Sequence, residues 1–386
     1  MTRKIKVGIR FIDHKTWTGG AYYLANLVAA LRHVSNREKY ELIVFSNAAD
    51  LAQAQKLLGA EDVKFHVVDR PLTMGERIGN RLSRLFGTKP PYSPHPKASD
   101  ADVIFPNAEA YYFSAIPHRI FWIPDFQEDH YPDFFSAQDL AARKNLQAKI
   151  AANQRWLVLS SESAKKDFVR LYPDSTINVR ILRFAVIHPK YDHLSIAALR
   201  TKHALPENYF FAPNQFWVHK DHMTAIRAVQ KLRDDGVDVV LAFSGKEDDY
   251  RSPGYAGSLK KYVADYGLGN NVRFLGFLDR AEQLQLMNHA MAVVQPSLFE
   301  GWSTVVEDAK AMTQLILASG LDVHHEQLDT WGGTSAFFDC RSDAQLAEQM
   351  RRVYSGELVR KCVSYQSSIT GFGADFAKII DEIVTG

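Results

Sequence analysis

The chain has 386 residues, which is enough for two domains of ordinary size. Lys and Arg number 46 against 44 for Asp and Glu, so the formal net charge is +2 and offers no general positive field for nucleic acid. The two cysteines, Cys340 and Cys362, suit a reducing cytosol and leave little room for a disulfide scaffold. No apolar run approaches the ~20 residues of a membrane span, so we expect a cytoplasmic protein without a signal peptide.

Short apolar runs alternate with helical patterns along the whole chain. Between the runs, apolar residues recur three and four positions apart, as at Leu24, Leu27 and Leu31, which is typical of amphipathic helices. This alternation indicates parallel sheets covered by helices on both faces, so the predicted fold class is α/β with two Rossmann-like doubly wound domains. We predict strands at residues 4–12, 40–46, 63–68, 102–105, 119–123, 156–160, 177–184, 209–212, 237–243, 272–275, 292–295, 315–318 and 335–338.

The alternation breaks once, after the predicted strand 177–184. A polar stretch that contains Pro189 and ends at Pro206 follows, and we interpret it as the connection between two domains. We therefore predict an N-terminal domain over residues 1–187 and a second domain over residues 205–365. Residues 366–386 predict an amphipathic helix, which we expect to cross back to the first domain.

Two features of the first half suggest a ligand. Gly19 and Gly20 precede a predicted helix, where free N–H groups bind anions and glycine admits a close substrate; a plain turn is the alternative. Asp125 follows the predicted strand 119–123, so we expect it to face the same edge of the sheet on the substrate side. His130 lies nearby, and we interpret it as a structural or surface residue.

The segment from Met74 to Phe86 predicts a helix that does not fit the strand alternation. Its apolar face contains Ile78 and Leu82, and arginines stand beside that face at 77, 81 and 84. One interpretation is a surface helix packed on the first domain. The other is an element that contacts a membrane surface or a lipid-linked acceptor.

A turn and a helix start follow the predicted strand 292–295. Gly301 lets the backbone of this turn come close to a ligand. The first N–H groups of the helix, at Ser303, Thr304 and Val305, have no partner within the helix and point outwards. A strand, a glycine turn and a helix start predict an anion site, such as one for phosphate.

Carboxylates flank this predicted anion site. Glu300 stands just before the helix, while Glu307 and Asp308 lie about one turn into it. Carboxylates are good hydrogen-bond acceptors for the hydroxyl groups of a sugar and of a ribose. The alternative is that Glu300 is a carboxylate at a helix start and that Glu307 and Asp308 are solvated surface groups.

Two other predicted strand ends supply candidate donor contacts, because doubly wound sheets bind ligands at their carboxyl edge. Ser244, Gly245 and Lys246 follow the strand 237–243, and Lys246 either binds phosphate or is solvated. Gly276 and Phe277 follow the strand 272–275, where they either meet a base or simply end the strand.

Residues 298–312 resemble the signature of family 4 retaining glycosyltransferases, also called glycosyl transferase group 1. That signature reads Glu-Gly-aromatic, then small and apolar residues, then Glu, and this chain has Glu-Gly-Trp-Ser-Thr-Val-Val-Glu-Asp from Glu300. Residues 209–222 and 271–277 are similar to two further stretches of the family, so the resemblance covers residues 205–325 well and the first half loosely. It implies a GT-B fold, in which two Rossmann-like domains face each other across a cleft. It also implies metal-independent, retaining transfer from a nucleotide-sugar donor to a glycan or lipid-linked acceptor, without a cofactor.

The resemblance also implies roles for single positions. Glu300 matches the residue that binds the donor sugar, and the backbone of residues 303–305 matches the diphosphate cradle. Lys220 matches a basic residue on the phosphates, and Asn214 stands where the family often has Arg, which removes one positive charge. Gly19 and Gly20 resemble the family's N-terminal Gly-rich loop.

The second carboxylate of the signature has two candidates in this chain. Asp308 occupies the position of the usual second Glu, so we favour Asp308 as the ribose ligand and keep Glu307 as the alternative. The family places its base contact at the strand end that contains Gly276 and Phe277.

Other classes of protein explain the sequence less well. A dinucleotide oxidoreductase needs its glycine fingerprint after a strand, whereas the G-x-G of Gly267 and Gly269 precedes one. A metal hydrolase would need a metal motif, which the histidines at 324 and 325 and Glu326 do not form. A non-catalytic sugar-nucleotide-binding or scaffold protein of the same fold, or a sugar-nucleotide epimerase, remains the alternative.

Overall fold

The computed structural model describes residues 3–12, 17–68, 73–85, 96–107, 113–153, 155–249 and 251–385. Their strands form two separate parallel sheets, one of seven strands in the first half of the chain and one of six strands in the second half. In the described residues, helices lie between successive strands of both halves, except between the fourth and fifth strands of the first half.

The first sheet has the strand order β3-β2-β1-β4-β5-β6-β7. Its strands are β1 (Ile5–Arg10), β2 (Tyr40–Ser46), β3 (Val63–Val67), β4 (Val103–Asn107), β5 (His118–Ile123), β6 (Trp156–Leu159) and β7 (Asn178–Ile181). The helices of this half are α1 (Thr18–Leu31), α2 (Leu51–Leu58), α3 (Met74–Leu85), α4 (Gln127–His130), α5 (Ala137–Ala151) and α6 (Glu162–Leu171).

The second sheet has the order β10-β9-β8-β11-β12-β13. Its strands are β8 (Phe210–Ala212), β9 (Leu241–Phe243), β10 (Val272–Phe274), β11 (Val293–Gln295), β12 (Ile316–Ser319) and β13 (Ser335–Phe338). The helices of this half are α7 (Ile196–Lys202), α8 (His222–Asp234), α9 (Tyr255–Asp265), α10 (Arg280–Asn288), α11 (Thr304–Ala311), α12 (Asp322–Leu328), α13 (Asp343–Tyr354) and α14 (Gln366–Thr385).

The continuous apolar runs of the sequence follow from helices on both faces of each sheet. In β2, Leu42 and Val44 are buried in one core of the first half, whereas Ile43 and Phe45 are buried in a second core. Successive side chains of a strand point to opposite faces, so a strand covered on both sides is apolar at every position. The predicted fold class is therefore confirmed.

The strand order of each sheet reverses next to its first strand. This switch point lies between β1 and β4 in the first sheet and between β8 and β11 in the second. Doubly wound sheets bind ligands at the carboxyl ends of the strands beside such a point. In the second half, the segments that begin there are residues 213–221 and 296–303.

Helix α14 crosses back from the second half to the first, as predicted. Phe372 and Phe376 lie in the core of the first half, where the Phe376 ring centre is 5.2 Å from that of Phe105. The helix packs against α1 at Gly373, where an added Cβ would stand 2.5 Å from the carbonyl oxygen of Ala30. Glycine at this position therefore permits the close approach of the two helices.

All thirteen predicted strands are present, with ends that differ by up to a few residues. The largest difference is β9, which begins at Leu241 because residues 237–240 follow the turn that ends α8 without regular strand pairing. Gly236 has a φ of +80°, and the N–H of Val237 donates back to the carbonyl of Leu232. The domain boundaries at residues 187, 205 and 365 stay a prediction. Within the described residues, no helix has the length and apolar character needed to cross a membrane.

Candidate functional site

Two candidate catalytic residues, Lys220 and Glu300, meet at the switch point of the second sheet. The segment after β8 ends in a single 3₁₀ turn over Val218–Lys220, and the segment after β11 leads into α11. These two segments bring Lys220 and Glu300 together, although 80 residues separate them in the sequence.

Lys220 and Glu300 form a nearly buried ion pair. The Nζ atom of Lys220 lies 2.5 Å from Oε1 of Glu300, and the two side chains are 12% and 9% exposed. Burial raises the pKa of Glu300, but the charge of Lys220, together with hydrogen bonds from Lys220 and Ser297, lowers it below its ordinary value. Glu300 is therefore ionised at neutral pH and can accept hydrogen bonds from sugar hydroxyls.

Gln295, at the end of β11, organises this pair and was missed from the sequence. Its Nε2 lies 2.7 Å from Oε1 of Glu300 and within 3.1 Å of the hydroxyls of Ser297 and Ser303. Its Oε1 accepts a hydrogen bond of 3.0 Å from Nδ2 of Asn214. Asn214, which stands where the family often has Arg, thus supports the network instead of supplying a charge. A buried polar residue at a strand end is the signal that could have identified Gln295.

The start of α11 differs from the predicted cradle in one respect. The N–H of Ser303 already donates to Oε1 of Gln327 at 3.1 Å, and the Ser303 hydroxyl caps the N–H of Val306. The hydrogen bonds of the described residues leave the N–H groups of Thr304 and Val305 without an acceptor. These two groups, and not that of Ser303, are available to an anion.

Glu307, the alternative ribose ligand, has its carboxylate occupied by donors within the protein. Its side chain is buried, and its carboxylate binds Lys310 Nζ at 2.9 Å, Gln327 Nε2 at 3.0 Å and the Tyr365 hydroxyl at 2.5 Å. A carboxylate with three donors inside the protein has a structural role. Lys310 is three residues from Glu307, but Tyr365 is 58 residues away. The sequence alone therefore could not show that these donors occupy the Glu307 carboxylate.

Asp308 is also buried, and it is already paired. Arg280 donates to both of its carboxylate oxygens, at 2.8 and 2.5 Å, and Nε2 of His188 lies 3.1 Å from Oδ1. Burial raises the pKa of Asp308, but Arg280 and His188 outweigh it and hold the pKa below its ordinary value. A ribose at Asp308 would therefore share this carboxylate with Arg280, whose guanidinium also lies 5.6 Å from the ring centre of Tyr22 in α1.

The remaining donor-side candidates lie at the same edge of the second sheet. Gly245 lies against the segment after β8, since a Cβ on it would be 2.2 Å from the carbonyl oxygen of Asn214. Its N–H donates to the carbonyl of Gly276, which has a φ of +70°. Ser244 is buried beside them, Phe277 is 65% exposed, and Nζ of Lys246 lies 5.5 Å from the centre of its ring. The structure therefore brings these five predicted residues together with Asn214.

Gly19 and Gly20, the two glycines predicted to contact a ligand, are placed differently from the prediction. Gly19 and Gly20 lie within the first turn of α1 and not before it. A Cβ on Gly20 would stand 2.4 Å from the indole of Trp17, which stacks on Trp122 with ring centres 4.9 Å apart. The packing of Trp17 thus accounts for a small residue at position 20.

Asp125 does face the second half, across the boundary between the two sheets. A Cβ on Gly301 would be 2.4 Å from the carbonyl oxygen of Pro124 and 2.7 Å from Cβ of Asp125. Burial raises the pKa of Asp125, and the negative charge of Glu300 adds to that effect, while a hydrogen bond from the N–H of Gln127 opposes it. Gly301 is the residue that permits this contact.

Neighbouring residues extend the contact between the halves. The Tyr131 hydroxyl donates to the carbonyl of Leu298 at 3.1 Å, and the rings of His130 and Phe299 are 5.0 Å apart. The indole N–H of Trp302 donates to the carbonyl of Phe184 at 3.1 Å. The segment before α11 is therefore covered by the first half of the chain.

In the part of the chain that the structure describes, no group of three or more His, Cys, Asp or Glu side chains could hold a metal ion.

Comparison with known proteins places the second half in a family. Residues 196–368 match the model of a family described as glycosyl transferases group 1. The chain is 28% identical over 206 residues to the O-antigen chain mannosyltransferase RfbU of Salmonella typhimurium strain LT2. This match covers 53% of each chain, so the chain spans about half the length of the curated relative that it matches.

Solved structures agree with the fold along nearly the whole chain. Anabaena HepE, in complex with UDP and glucose, aligns with a TM-score of 0.61 at 16% identity over 98% of this chain and 95% of its own. A glycosyltransferase from Rickettsia africae aligns with a TM-score of 0.65 at 12% identity over 100% of both chains. At such identities the likeness concerns the fold alone, and it agrees with the predicted GT-B arrangement. The match to the glycosyl transferases group 1 thus covers residues 196–368, and the fold of the whole chain is the one found in solved glycosyltransferases.

Proposed function

We propose that this chain moves a sugar from a nucleotide-sugar donor to an acceptor. The observation that carries the proposal is the Lys220–Glu300 ion pair beside two free N–H groups at the start of α11. A carboxylate acceptor for sugar hydroxyls thus stands next to a cation and a helix N-terminus, which both favour a diphosphate. The match of residues 196–368 to the glycosyl transferases group 1 supports the general activity.

The chemistry requires stabilisation of the leaving diphosphate. Lys220 and the N–H groups of Thr304 and Val305 would meet the negative charge that grows as the bond to the sugar breaks. Because Asn214 supplies no charge, Lys220 takes a larger share of this work. We infer transfer with retention and without a metal ion: the leaving phosphate takes the proton of the acceptor hydroxyl on the same face of the sugar.

Contact between the halves would protect the reaction from water. Gly301 lies against Pro124 and Asp125, and Tyr131 bonds to Leu298, so the first half covers Glu300. Donor entry requires these contacts to separate, and their return excludes water that would hydrolyse the donor. Asp125 would then lie on the acceptor side of the sugar.

A transfer assay tests the proposed function. We expect the chain to release nucleoside diphosphate from a sugar nucleotide in the presence of acceptor and EDTA, and Glu300→Gln to lower turnover at least tenfold. Glu247→Gln is the matched control, since Glu247 forms a more exposed ion pair with Lys260 in the same half. Restoration by magnesium after loss in EDTA would contradict metal independence. Tight binding of the donor without transfer to glycan or lipid-linked acceptors would instead indicate a non-catalytic binding protein.

We further infer that the acceptor is a glycan on a lipid carrier and that α3 contacts the membrane surface. The relative RfbU is named an O-antigen chain mannosyltransferase, which supports a glycan acceptor. In α3, Met74, Ile78 and Leu82 are 80%, 53% and 49% exposed and recur every four residues on one face. Arg77 and Arg81 stand on the same helix, so the helix combines exposed apolar and basic groups, as interfacial helices do.

Liposome flotation tests the contact with the membrane. We expect the chain to float with vesicles that contain anionic lipid, and the double variant Ile78→Gln, Leu82→Gln to stay in the soluble fraction. The control is Val169→Gln, which removes an apolar side chain of similar exposure, 54%, from α6. Equal flotation of the double variant and the unaltered chain would leave α3 a surface helix.

A further inference from the structure

One buried histidine beside the site has a ring nitrogen without a partner. His324 lies in α12, which follows β12, and is fully buried. Its Nδ1 lies 2.8 Å from the carbonyl oxygen of Ser319, whereas its Nε2 has no hydrogen-bond partner among the described residues. A carbonyl oxygen only accepts hydrogen bonds, so Nδ1 carries the proton and Nε2 presents a lone pair.

Hydrogen bonds connect the surroundings of His324 to Glu300. The Ser319 hydroxyl donates to the carbonyl of Ser297 at 2.5 Å, and the side chains of Ser297 and Glu300 share the amide of Gln295. Burial, the largest influence, lowers the pKa of His324; the negative charge of Glu300 opposes this effect and the charge of Lys220 reinforces it. His324 is therefore a neutral group within the electrostatic reach of the ion pair.

A buried acceptor without a hydrogen bond destabilises the folded protein unless a ligand donates a hydrogen bond to it. Leaving a buried polar group unsatisfied costs roughly 1–3 kcal/mol, and such groups are rare in folded proteins. An apolar residue would fill this position without that cost. The lone pair on Nε2 also restricts the ligand, because phosphate and carboxylate oxygens have no proton to donate, whereas a hydroxyl group does.

We propose that Nε2 of His324 accepts a hydrogen bond from a hydroxyl of the donor sugar, next to the hydroxyl bound by Glu300. This inference rests on the proposed function, and it makes His324 a residue that selects the sugar. Two neighbouring acceptors, a carboxylate and an imidazole lone pair, favour a sugar that presents two hydroxyl donors in matching positions. The diphosphate is bound elsewhere, by Lys220 and the start of α11.

Calorimetric titration separates the sugar contact from the diphosphate contact. The probes are the sugar nucleotides UDP-glucose, UDP-N-acetylglucosamine and GDP-mannose, and the nucleoside diphosphates UDP and GDP. The variants are compared with the sugar nucleotide that binds the unaltered chain most tightly and with the nucleoside diphosphate of the same base. We expect His324→Phe to weaken binding of the sugar nucleotide at least tenfold and binding of the nucleoside diphosphate less than twofold. His324→Gln, whose side-chain oxygen reaches the position of Nε2, should keep more affinity than His324→Phe.

Deoxy-sugar donors identify the hydroxyl. We expect removal of one hydroxyl to weaken binding to the unaltered chain and to have no effect on His324→Phe, while every other deoxy donor weakens both proteins equally. Equal penalties for all deoxy donors in both proteins would overturn the proposal, as would a parallel loss of diphosphate binding. If the unaltered chain binds none of the sugar nucleotides, the proposed function itself fails, whatever the variants do.

Discussion

Carboxyl groups on the two sides of the site have their pKa values moved in opposite directions. Lys220 holds the pKa of Glu300 below its ordinary value against the effect of burial, as Arg280 does for Asp308. Asp125 has no such ion pair among the described residues, and burial is the largest influence and raises its pKa. The charges of Glu128 and Glu300 add to this effect, whereas the hydrogen bond from Gln127 and the charge of Arg143 oppose it. Environments that separate the pKa values of neighbouring acids are how a site assigns them different roles.

The raised pKa of Asp125 predicts a stability that depends on pH. The folded protein favours the protonated carboxyl, so ionisation of Asp125 removes stability as the pH rises from its unfolded pKa through its folded pKa. We expect Asp125→Asn, which keeps an oxygen for the N–H of Gln127, to unfold at a higher temperature than the unaltered chain at pH 8. The gain should be roughly 2–4 °C per kcal/mol recovered.

The same gain should be much smaller near pH 4, close to the ordinary pKa of Asp, where ionisation is incomplete in the unfolded chain and less complete still in the folded protein. Thermal unfolding at both pH values measures it. Asp234→Asn is the control, because Asp234 is an exposed carboxylate paired with Arg233 on the surface. A gain that is equal at pH 4 and pH 8 would show that the substitution acts through packing and not through charge.

The helix start of α11 was predicted from the sequence, but what holds it was not. A strand, Gly301 and a capping Ser303 are local signals, so the turn and its free N–H groups could be read from consecutive residues. Gln327 lies 24 residues away and clamps both the N–H and the carbonyl of Ser303, at 3.1 Å each. Such contacts depend on the register of β11 and β12, which a single sequence does not specify.

The clamp on Ser303 predicts a pH-dependent variant. Gln327→Glu keeps the acceptor but loses, when ionised, the donor to Ser303 and Glu307, and it sets two carboxylates together. We expect its affinity for nucleoside diphosphate to fall about tenfold at pH 8, or ~1.4 kcal/mol, and to recover as the pH falls and the new carboxyl is protonated.

Calorimetry between pH 6 and 8 measures this effect. Gln345→Glu is the matched control, because Gln345 makes the same pair of amide hydrogen bonds with Asp339 on an exposed surface of the second half. A constant loss of affinity at every pH would mean that the variant disturbs the fold near α11 and not the clamp.

At the scale of the whole molecule, the two halves are joined twice. The chain passes from β7 to α7, and it returns from α13 to α14. Tyr365 ties both passages to the helix of the site, because its hydroxyl donates to Glu307 and accepts from the N–H of Val186. The sequence predicted both passages from a break in its pattern and a last amphipathic helix. It did not predict Tyr365, whose partners are 58 and 179 residues away.

The return of α14 predicts that a residue at the end of the chain stabilises the domain at its beginning. Phe376 is completely buried in the core of the first half, beside Phe105, so Phe376→Ala leaves a cavity there. We expect a loss of roughly 3–5 kcal/mol in the free energy of unfolding of that half. Because the diphosphate contacts lie in the second half, affinity for nucleoside diphosphate should change less than twofold at temperatures where the first half stays folded.

Urea unfolding followed by tryptophan fluorescence, with Val359→Ala as an exposed control in the second half, measures the loss. An unchanged unfolding curve would show that α14 contributes little to the first core, whereas loss of diphosphate binding would show that the two halves fold as one unit.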